Sequence, residues 1–392
     1  MSLAAGPIAI AGGGIGGLAT ALALAKRGLP SVICERRVAF SEDGAGVQIG
    51  PNGVKILQAL GVSDLLRNAI AAPNALSVRN GLTGAELTRL PFGDWIAKRH
   101  GAPYWTAHRA DLHAALLAAV EKQPLVEQRL EAEVTGWSET QNGIKAETAN
   151  GDRIPASALI AADGLWSRLR HEVCDAPPPK PVGKSAYRCI VSVARIPAGL
   201  AANDVHIWLA PDAHAVHYPV RSGREIALVL IVDDADAVTQ WSAESTPDLS
   251  NGAAARFAPT LRALLATGDG WRKWSLYSAA PLKSWSRGSV ALLGDAAHPV
   301  LPFLAQGAVL ALEDATALAN NIAKQPDDIT GALSNYALTR RPRANRIAAA
   351  AARNGRIYHL GGPMALARNA TLMAAPPARL MATYDWLYGW EV

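Results

Sequence analysis

A glycine-rich run near the start of the chain has the spacing of a phosphate-binding turn. The run Gly12–Gly17 reads GGGIGG and satisfies the pattern GxGxxG. In such a turn Gly12 allows the tight bend, Gly14 lets a pyrophosphate approach the backbone, and Gly17 lets the following helix pack closely on the strand. The start of that helix offers N–H groups and a positive dipole end to phosphate. Glu35, eighteen residues after Gly17, can bind ribose hydroxyls, so the segment predicts a site for an adenine dinucleotide, either NAD or FAD.

Two further motifs place an aspartate at the end of an apolar strand. Asp163-Gly164 follows the run LIAA, and Gly294-Asp295 follows VALL. Ligands of α/β sheets bind at the carboxyl ends of strands, so both aspartates are candidate ligand contacts. Taken alone, either aspartate would more often be the N-cap of a helix than a ligand contact. His298, shortly after the second motif, is expected to pack at the turn.

Two polar aromatic residues four positions apart have the chemistry to act on a phenol. His214 and Tyr218 lie on a predicted strand, and its period of two puts them on one face and His217 on the other. The ordinary pKa of histidine is about 6.5 and that of tyrosine about 10, which makes His214 the readier base and Tyr218 the orienting group. An exposed strand histidine would show the same spacing, so this pair alone does not define a site.

The elements that must position these residues follow from the pattern of apolar residues. A strand, an Ala- and Leu-rich helix that stops at Gly28, and a second strand form a βαβ unit, which implies a parallel sheet. Short alternating strands from Ala186 to Asp233, without helices between them, predict an antiparallel sheet. The other predicted elements are strands at Pro7–Ala11, Ser31–Glu35 and Ser289–Leu293 and helices at Ile15–Arg27, Gly307–Lys324 and Thr330–Tyr358.

The predicted fold class is α/β, or α+β overall, with a Rossmann-type dinucleotide-binding domain interrupted by a substrate domain. Residues 1–180 are expected to form the first part of the dinucleotide-binding domain, with some substrate-side segments near 75–105. Residues 181–280 are expected to form the substrate domain around its antiparallel sheet. Residues 281–392 should return to the first domain and add C-terminal helices. The Pro-rich stretch Pro177–Pro181 is predicted to connect the two regions.

Length and composition exclude several classes of protein. The chain has 392 residues, of which 50% are hydrophobic and 18% charged, so one large or two modest globular domains are expected. The net charge of +5 is scattered along the sequence, which argues against nucleic-acid binding. Three cysteines are too few for a disulfide framework or a zinc cluster, so no metal is expected. The few cysteines and the lack of a signal peptide indicate a cytoplasmic protein. The lack of a long unbroken apolar run predicts that no segment spans a membrane.

In this order and spacing, the three motifs resemble those of the single-component FAD-dependent aromatic hydroxylases, the p-hydroxybenzoate hydroxylase-like flavoprotein monooxygenases. The resemblance extends from Ile8 to the segment YDWLYG at residues 384–389. Four finer segments are similar to the branch that holds salicylate hydroxylase, 3-hydroxybenzoate 6-hydroxylase and 6-hydroxynicotinate 3-monooxygenase. These segments are GAGVQIGPNG (44–53), HRADLH (108–113), HAVHYPVR (214–221) and PFLAQGAVLALEDA (302–315).

The resemblance implies FAD as cofactor, NADH or NADPH as co-substrate, and oxygen transfer from a flavin hydroperoxide to an aromatic ring. It also implies that the Asp163-Gly164 motif serves both FAD and the nicotinamide cofactor. The residues it assigns to FAD are Gly12, Gly14, Gly17, Glu35, Arg36, Gln48, Arg109, Leu130, Asp163, Gly164, Asp295 and Ala308. The guanidinium of Arg109 suits this role because it can pair with a pyrophosphate in a bidentate manner. By the same resemblance His214, Tyr218 and Gln306 should contact the substrate.

The expected substrate is a phenolic aromatic acid, of the salicylate or 3-hydroxybenzoate type or 6-hydroxynicotinate, with O2 as the second substrate. The residue that would bind its carboxylate stays open between Arg188 and Arg221, each of which could equally form a structural ion pair. Two other functions also stay open: hydroxylation of a bicyclic heterocycle of the urate or quinolone type, and a non-catalytic FAD- or ligand-binding protein. The protein is expected to be a monomer or homodimer with no nucleic-acid or membrane partner.

Overall fold

The computed structural model describes residues 6–40, 46–197, 199–200, 202–234 and 243–391. The strands in these ranges are β1 (Ile8–Ala11), β2 (Ser31–Cys34), β3 (Gly46–Ile49), β4 (Ile70–Ala71), β5 (Ala75–Asn80), β6 (Glu86–Pro91), β7 (Trp105–His108), β8 (Val126–Arg129), β9 (Val134–Thr140), β10 (Gly143–Thr148), β11 (Arg153–Ala156), β12 (Ala158–Ala161), β13 (Lys180–Ser192), β14 (Val205–Ala210), β15 (Ala213–Val220), β16 (Glu225–Asp233), β17 (Ala243–Glu244), β18 (Arg272–Ser278), β19 (Ser286–Arg287) and β20 (Val290–Leu292). The α-helices are α1 (Ile15–Ala25), α2 (Pro51–Leu60), α3 (Ser63–Leu66), α4 (Gly93–His100), α5 (Arg109–Val120), α6 (Leu169–Cys174), α7 (Gly252–Ala255), α8 (Pro259–Ala266), α9 (Gly307–Lys324), α10 (Ile329–Tyr358), α11 (Gly362–Ala374), α12 (Pro377–Ala382) and α13 (Asp385–Tyr388).

The first sheet is the parallel sheet that the βαβ pattern predicts. Its strand order is β19-β20-β12-β1-β2-β8, and only the short edge strand β19 runs antiparallel to its neighbour. In β1, Ile8 lies opposite Ser31 of β2 and Ala158 of β12. All residues of these three strands are buried, because helices cover both faces of a parallel sheet and its strands are therefore continuously apolar. The helix α1 packs between this sheet and the helices α5 and α9.

The second large sheet has the strand order β17-β18-β13-β16-β15-β14-β5-β6. Neighbouring strands are antiparallel, as predicted, except for the parallel pair of β5 and β14. The strands β5 and β6 come from residues 75–91, so a segment from the first half of the chain joins this sheet. The Pro-rich connection is shorter than predicted, because β13 already begins at Lys180 and Pro181 pairs with Tyr277. A register shift follows Pro181, which is a position where a strand tolerates a proline.

The two faces of the eight-stranded sheet have different surroundings. One face packs on α8 through a core that includes Trp208, Leu228 and Leu261. On the opposite face, Ala186 and Ile231 form a cluster with Phe303, which belongs to the 3-10 turn before α9. Two smaller three-stranded sheets, β11-β10-β9 and β3-β7-β4, complete the fold.

Buried charges join α9 to α10. Glu313 and Asp314 are fully buried, and Arg340 donates from Nη2 to Oε2 of Glu313 and from Nε to Oδ1 of Asp314, both at 2.7 Å. Arg343 also donates to Glu313, and His298 contacts Asp314. Burial by itself raises the pKa of the Asp314 carboxyl, but the charges of His298 and Arg340 outweigh it and lower this pKa to about 2. We call these five residues the α9–α10 charge network.

The fold class agrees with the prediction: a Rossmann-type sheet with interleaved helices, a second mostly antiparallel sheet, and C-terminal helices. The predicted bounds of the long helix at Gly307–Lys324 are those observed, whereas α1 ends two residues earlier than predicted. The domain boundaries near residues 180 and 280 stay a prediction. Within the described ranges, no helix combines the length and apolar character that a membrane span requires.

Replacing Arg340 with leucine should destabilise the fold strongly. Glu313 and Asp314 would then lose a cation while remaining buried, which costs roughly 3–5 kcal/mol of unfolding free energy. Arg67→Leu is the matched control, because Arg67 forms an exposed ion pair with Asp64 within α3 and its flank, and such pairs contribute little. Urea denaturation of both variants measures the difference, and equal losses would contradict a structural role for the network.

Candidate active site

The predicted cofactor residues converge on one edge of the parallel sheet. The strands β8, β2, β1, β12 and β20 are neighbours and run in the same direction, so their carboxyl ends share that edge. The residues that follow these five strands are Leu130 after β8, Glu35 and Arg36 after β2, Gly12 after β1, Asp163 and Gly164 after β12, and Asp295 after β20. Residues from Gly12 to Asp295 thus lie at one edge of the sheet, where ligands of α/β sheets bind; we call this edge the groove.

The glycine turn has one open position and two that are filled. A methyl group on Gly17 would lie 1.9 Å from the carbonyl oxygen of Gly12, and one on Gly12 would lie 2.5 Å from the carbonyl oxygen of Ala162. Gly12 also has a φ of +107°, which favours glycine. At Gly14, by contrast, a methyl group would meet no atom within 4 Å. Gly12 and Gly17 therefore shape the turn, and Gly14 leaves its backbone accessible.

Glu35 and a histidine that we did not predict hold this turn in place. The carboxylate of Glu35 accepts the N–H of Gly13 at 2.8 Å and the N–H of Arg37 at 3.0 Å. The buried His113, on α5, contacts the carbonyl oxygen of Gly13 through Nε2 at 2.8 Å. His113 belongs to the segment HRADLH, but nothing in its spacing indicates a contact 100 residues away.

The two aspartate motifs are joined by an arginine. Arg170, fully buried, donates from Nε to the carbonyl oxygen of Ala296 at 2.6 Å and from Nη2 to that of Asp295. Asp295 itself is exposed at the groove. Burial raises the pKa of the Asp163 carboxyl, and its buried Oδ1 has no hydrogen-bond partner among the described residues. An orphaned acceptor at this edge fits a ligand that supplies hydroxyl groups.

The remaining predicted cofactor residues lie on three other elements and on the groove rim. Gln48, on β3, accepts a hydrogen bond from the Tyr104 hydroxyl at 2.9 Å. Arg109 is half-buried and begins α5. Ala308 lies in the first turn of α9, where no side chain caps the N–H groups, so this helix start can receive a negatively charged group. The side chains of Arg36 and Leu130 are exposed.

His214 and Tyr218 share one face of the eight-stranded sheet, as the strand period predicts. Both are buried on β15, and the ring of Phe303 lies 5.5 Å from that of His214. A methyl group on Gly46 would lie 2.5 Å from the Tyr218 ring, so β3 passes directly over Tyr218. His217 faces the other way, where it accepts a hydrogen bond from Trp208 at 3.2 Å.

Gln306 is buried at the start of α9, and only the oxygen of its side-chain amide has a hydrogen-bond partner among the described residues. Its Oε1 accepts from Nδ2 of Asn52 at 3.1 Å, and the same nitrogen donates to Glu313 at 2.7 Å. The Nε2 of Gln306 has no partner within the described part of the chain. Asn52 and Glu313 thus link Gln306 to the α9–α10 charge network, and sequence reasoning missed both because their partners lie more than 250 residues apart.

The environment of His214 keeps its imidazole neutral. Burial lowers the pKa of His214 well below its usual value, and the nearby charges of His359 and Lys184 lower it further. Nδ1 of His214 is engaged with Nε2 of His359 at 2.8 Å. The neutral ring therefore keeps Nε2 as the nitrogen that can accept a proton. No sequence signal indicated His359, which follows the 30-residue helix α10.

The structure separates the two candidate arginines. Arg221 donates to both carboxylate oxygens of Asp111, at 2.8 and 3.0 Å, and also binds Glu225, so it forms a structural ion pair. Arg188 has no such pair in the described ranges, and its buried Nε has no hydrogen-bond partner there. Its guanidinium lies 5.4 Å from the centre of the Trp274 ring. Burial lowers the pKa of the Arg188 guanidinium, and the nearby charge of Arg109 lowers it further.

Arg188 lies on the same sheet face as His214 and Tyr218. In the register, Arg188 of β13 is opposite Val229 of β16, which is opposite Val216 of β15. Val216 is the residue midway between His214 and Tyr218 on that face. Arg188 and Val216 are therefore two strand spacings apart, about 10 Å. The half-buried Val229 and Val216 form an apolar floor between Arg188 and the two polar side chains of β15.

Fold and groove together define a dinucleotide-binding α/β protein with a second, mostly antiparallel sheet, and comparison with known proteins identifies its family. Residues 6–351 match the family model described as FAD binding domain, and the chain belongs to this family. It is 34% identical to 3-hydroxybenzoate 6-hydroxylase 1 of Aquipseudomonas alcaligenes, over 98% of each chain. It is 35% identical to 6-hydroxynicotinate 3-monooxygenase of Bordetella bronchiseptica (strain ATCC BAA-588 / NCTC 13252 / RB50), over 87% of this chain and 89% of that one. A solved salicylate hydroxylase substrate complex superposes with a TM-score of 0.84 at 26% identity, covering 100% of this chain and 97% of that one.

The chain is therefore an FAD-dependent aromatic hydroxylase, as the motif resemblance predicts. The groove residues fit FAD on their own geometry: an accessible backbone at Gly14 for the diphosphate, an orphaned acceptor at Asp163, and an uncapped helix start at Ala308. The individual contacts of the twelve predicted cofactor residues stay predictions.

A pair of glycine variants separates cofactor binding from folding. Gly14→Ala should leave the thermal stability of the FAD-free protein unchanged, because the new methyl group has open space, yet weaken FAD binding roughly tenfold or more by obstructing the diphosphate. Gly17→Ala, whose methyl group would collide with Gly12, should lower the unfolding temperature by about 5 °C. Flavin absorbance of the purified proteins and thermal unfolding measure both effects. Wild-type FAD affinity in Gly14→Ala would contradict this placement of the diphosphate.

Proposed function

We propose that this enzyme hydroxylates a phenolic aromatic acid, using NADH or NADPH to reduce FAD and O2 as the oxygen source. A salicylate- or 3-hydroxybenzoate-type acid is the first candidate, and 6-hydroxynicotinate is the second. One observation carries the proposal: a neutral buried imidazole, His214, and a half-buried guanidinium that no carboxylate of the described residues pairs with, Arg188, share one sheet face across an apolar floor. The names of the relatives, which are hydroxylases of ring acids, support the same substrate class.

His214 is the proposed base for the substrate hydroxyl. Bound, reduced FAD would activate O2 so that one of its oxygen atoms can be transferred to the ring, while the protein positions the ring and manages charge. Nε2 of His214 accepts the phenol proton, since Nδ1 is engaged with His359. The phenolate is richer in electrons than the phenol and is therefore more reactive toward an electrophilic oxygen. Desolvation keeps the imidazole unprotonated at neutral pH, so it is ready to accept a proton.

Tyr218 and Gln306 are proposed to orient the ring. Burial raises the pKa of the Tyr218 hydroxyl, while the charge of Arg188 lowers it to a smaller extent, so the hydroxyl stays protonated and can donate. The unpartnered Nε2 of Gln306 is a second buried donor. Leaving such a donor unsatisfied is costly, and a substrate oxygen would satisfy it.

Arg188 is the proposed carboxylate site. A guanidinium accepts a carboxylate in bidentate geometry, and a bound anion would offset the desolvation of this buried cation. The distance of about 10 Å between β13 at Arg188 and β15 at Val216 leaves room for one aromatic ring above Val216 and Val229. Arg221 is excluded from this role by its pairing with Asp111 and Glu225.

A turnover panel tests the proposed function. The FAD-loaded enzyme is mixed with NADH or NADPH and with salicylate, the hydroxybenzoates, the hydroxynicotinates, urate or a hydroxyquinolone, and both hydrogen peroxide and ring products are quantified. One phenolic acid should accelerate NAD(P)H oxidation and yield a product one oxygen heavier. With that acid, His214→Ala should slow hydroxylation roughly 100-fold or more, as loss of a general base does, while His217→Ala keeps most of it.

Two results would contradict the proposal. Turnover of only a bicyclic heterocycle would favour a urate- or quinolone-type hydroxylase. No product and no stimulation by any ring compound would favour a non-catalytic FAD-binding protein. Near wild-type hydroxylation by His214→Ala would reject the base assignment alone.

Arg188→Met should raise KM for the acid roughly 30-fold or more, because a buried charge pair contributes about 2 kcal/mol or more. The same variant should change KM little for the corresponding phenol without a carboxylate. Arg221→Met is the matched control, since its guanidinium is already paired with Asp111. Steady-state kinetics on both substrates measures the effect, and equal changes for acid and phenol would exclude Arg188 as the carboxylate site.

We also infer a cytoplasmic location, which the three free thiols of Cys34, Cys174 and Cys189 support. The expectation of a monomer or homodimer stays a prediction.

A further inference from the structure

A continuous line of side chains runs from His214 to the protein surface. Nδ1 of His214 lies 2.8 Å from Nε2 of His359, and Nδ1 of His359 lies 2.7 Å from Oδ1 of Asp233. His214 and His359 are buried, whereas the Asp233 side chain is 46% exposed. His359 uses both of its ring nitrogens, so the line has no gap between His214 and Asp233.

Three separate elements hold this line in place. In the sheet register, His214 of β15 pairs with Ile231, two residues before Asp233 at the end of β16. His359 directly follows α10, and its carbonyl oxygen accepts the N–H of Asp212 at 3.3 Å. The rings of His214 and His359 are 5.0 Å apart between centres. The contacts thus arise from the packing of α10 on the sheet.

A buried histidine in this position has a difficulty as a base. Desolvation disfavours the imidazolium, so His214 cannot hold the proton that it takes from a substrate hydroxyl. The positive charge of Lys184 adds to this effect. A proton that arrives at Nε2 must therefore be balanced by one that leaves from Nδ1.

We propose that His359 and Asp233 pass the proton taken up by His214 to solvent; this inference rests on the function proposed above. The substrate O–H bond breaks and an N–H bond forms at Nε2 of His214. The proton on Nδ1 of His214 moves to Nε2 of His359, and the proton on Nδ1 of His359 moves to the Asp233 carboxylate. Asp233 then releases it to water. The same transfers in reverse protonate the product oxygen and restore both rings.

The charged groups around the line favour this direction. Lys184, on β13, contacts the Asp233 carboxylate and lies 3.0 Å from Nδ1 of His359. Its charge, after burial, lowers the pKa of His359, while the carboxylates of Asp233 and Asp212 raise it. Burial and Lys184 thus disfavour an imidazolium on both rings, and the exposed carboxylate is the end point. His359 and Asp233 do not touch the substrate, so they are positioning residues for His214.

The test follows substrate deprotonation directly, apart from turnover. The oxidised, FAD-loaded enzyme is mixed with 3-hydroxy-4-nitrobenzoate, a phenolic acid whose phenolate absorbs visible light, and the rate of phenolate appearance is followed by stopped flow from pH 5 to 8. His359→Gln keeps a polar side chain beside His214 but cannot relay a proton. Phenolate formation should slow roughly tenfold or more in this variant, with unchanged FAD content and unchanged affinity for the probe.

Asp233→Asn provides a second variant at the exposed end, where folding is least at risk. It should also slow phenolate formation, and added imidazole should restore the rate in His359→Ala. His217→Gln is the matched control, because His217 is an equally buried histidine on the opposite face of β15, and it should keep the wild-type rate.

The outcomes separate the relay from the function on which it rests. If phenolate formed at the wild-type rate in both His359→Gln and Asp233→Asn, the relay would be overturned and the proposed function would stand. A wild-type enzyme that neither binds the probe nor hydroxylates any phenolic acid would overturn the proposed function itself. Slowing in His359→Gln and Asp233→Asn but not in His217→Gln supports the relay.

Discussion

The register of the parallel sheet is the constraint on which the cofactor groove depends. Because Ile8 lies level with Ser31 and Ala158, the strands β1, β2 and β12 end together at Ala11, Cys34 and Ala161. The glycine turn, Glu35 and the first aspartate motif therefore start from the same level. Because neither Gly17 nor Gly12 has a side chain, the start of α1 packs closely on the end of β1. A larger residue at either glycine would move the helix start away from the groove.

The substrate side uses the other basic property of sheets, the alternation of faces. β13, β16 and β15 are in register, so Arg188 and His214 rise from one face with small apolar residues between them. The opposite face holds His217 within the core beneath α8. Gln306 reaches Glu313 and Arg340 by way of Asn52. The α9–α10 charge network thus holds one of the proposed substrate contacts in place.

Buried polar groups have opposite consequences in the two halves. In the α9–α10 charge network, opposite charges satisfy one another, and the pKa of Asp314 falls to about 2. By contrast, Arg188, on the sheet face of His214, and Gln306, at the start of α9, keep donor groups that no described residue satisfies. The first arrangement stabilises a fold, and the second has a free-energy cost that a bound acid would offset.

The sequence by itself determined the elements and the chemistry that depends on local spacing. Strand and helix periods, the turn glycines from Gly12 to Gly17, and the common face of His214 and Tyr218 are all short-range consequences of backbone geometry. Only the tertiary structure distinguished Arg221, which forms a structural ion pair, from Arg188, because the carboxylate that pairs with Arg221 lies 110 residues away in sequence. The same holds for His359, which meets His214 across 145 residues. Side-chain partners of this kind arise from the packing of α10 and α5 against the sheets, and no local pattern records such packing.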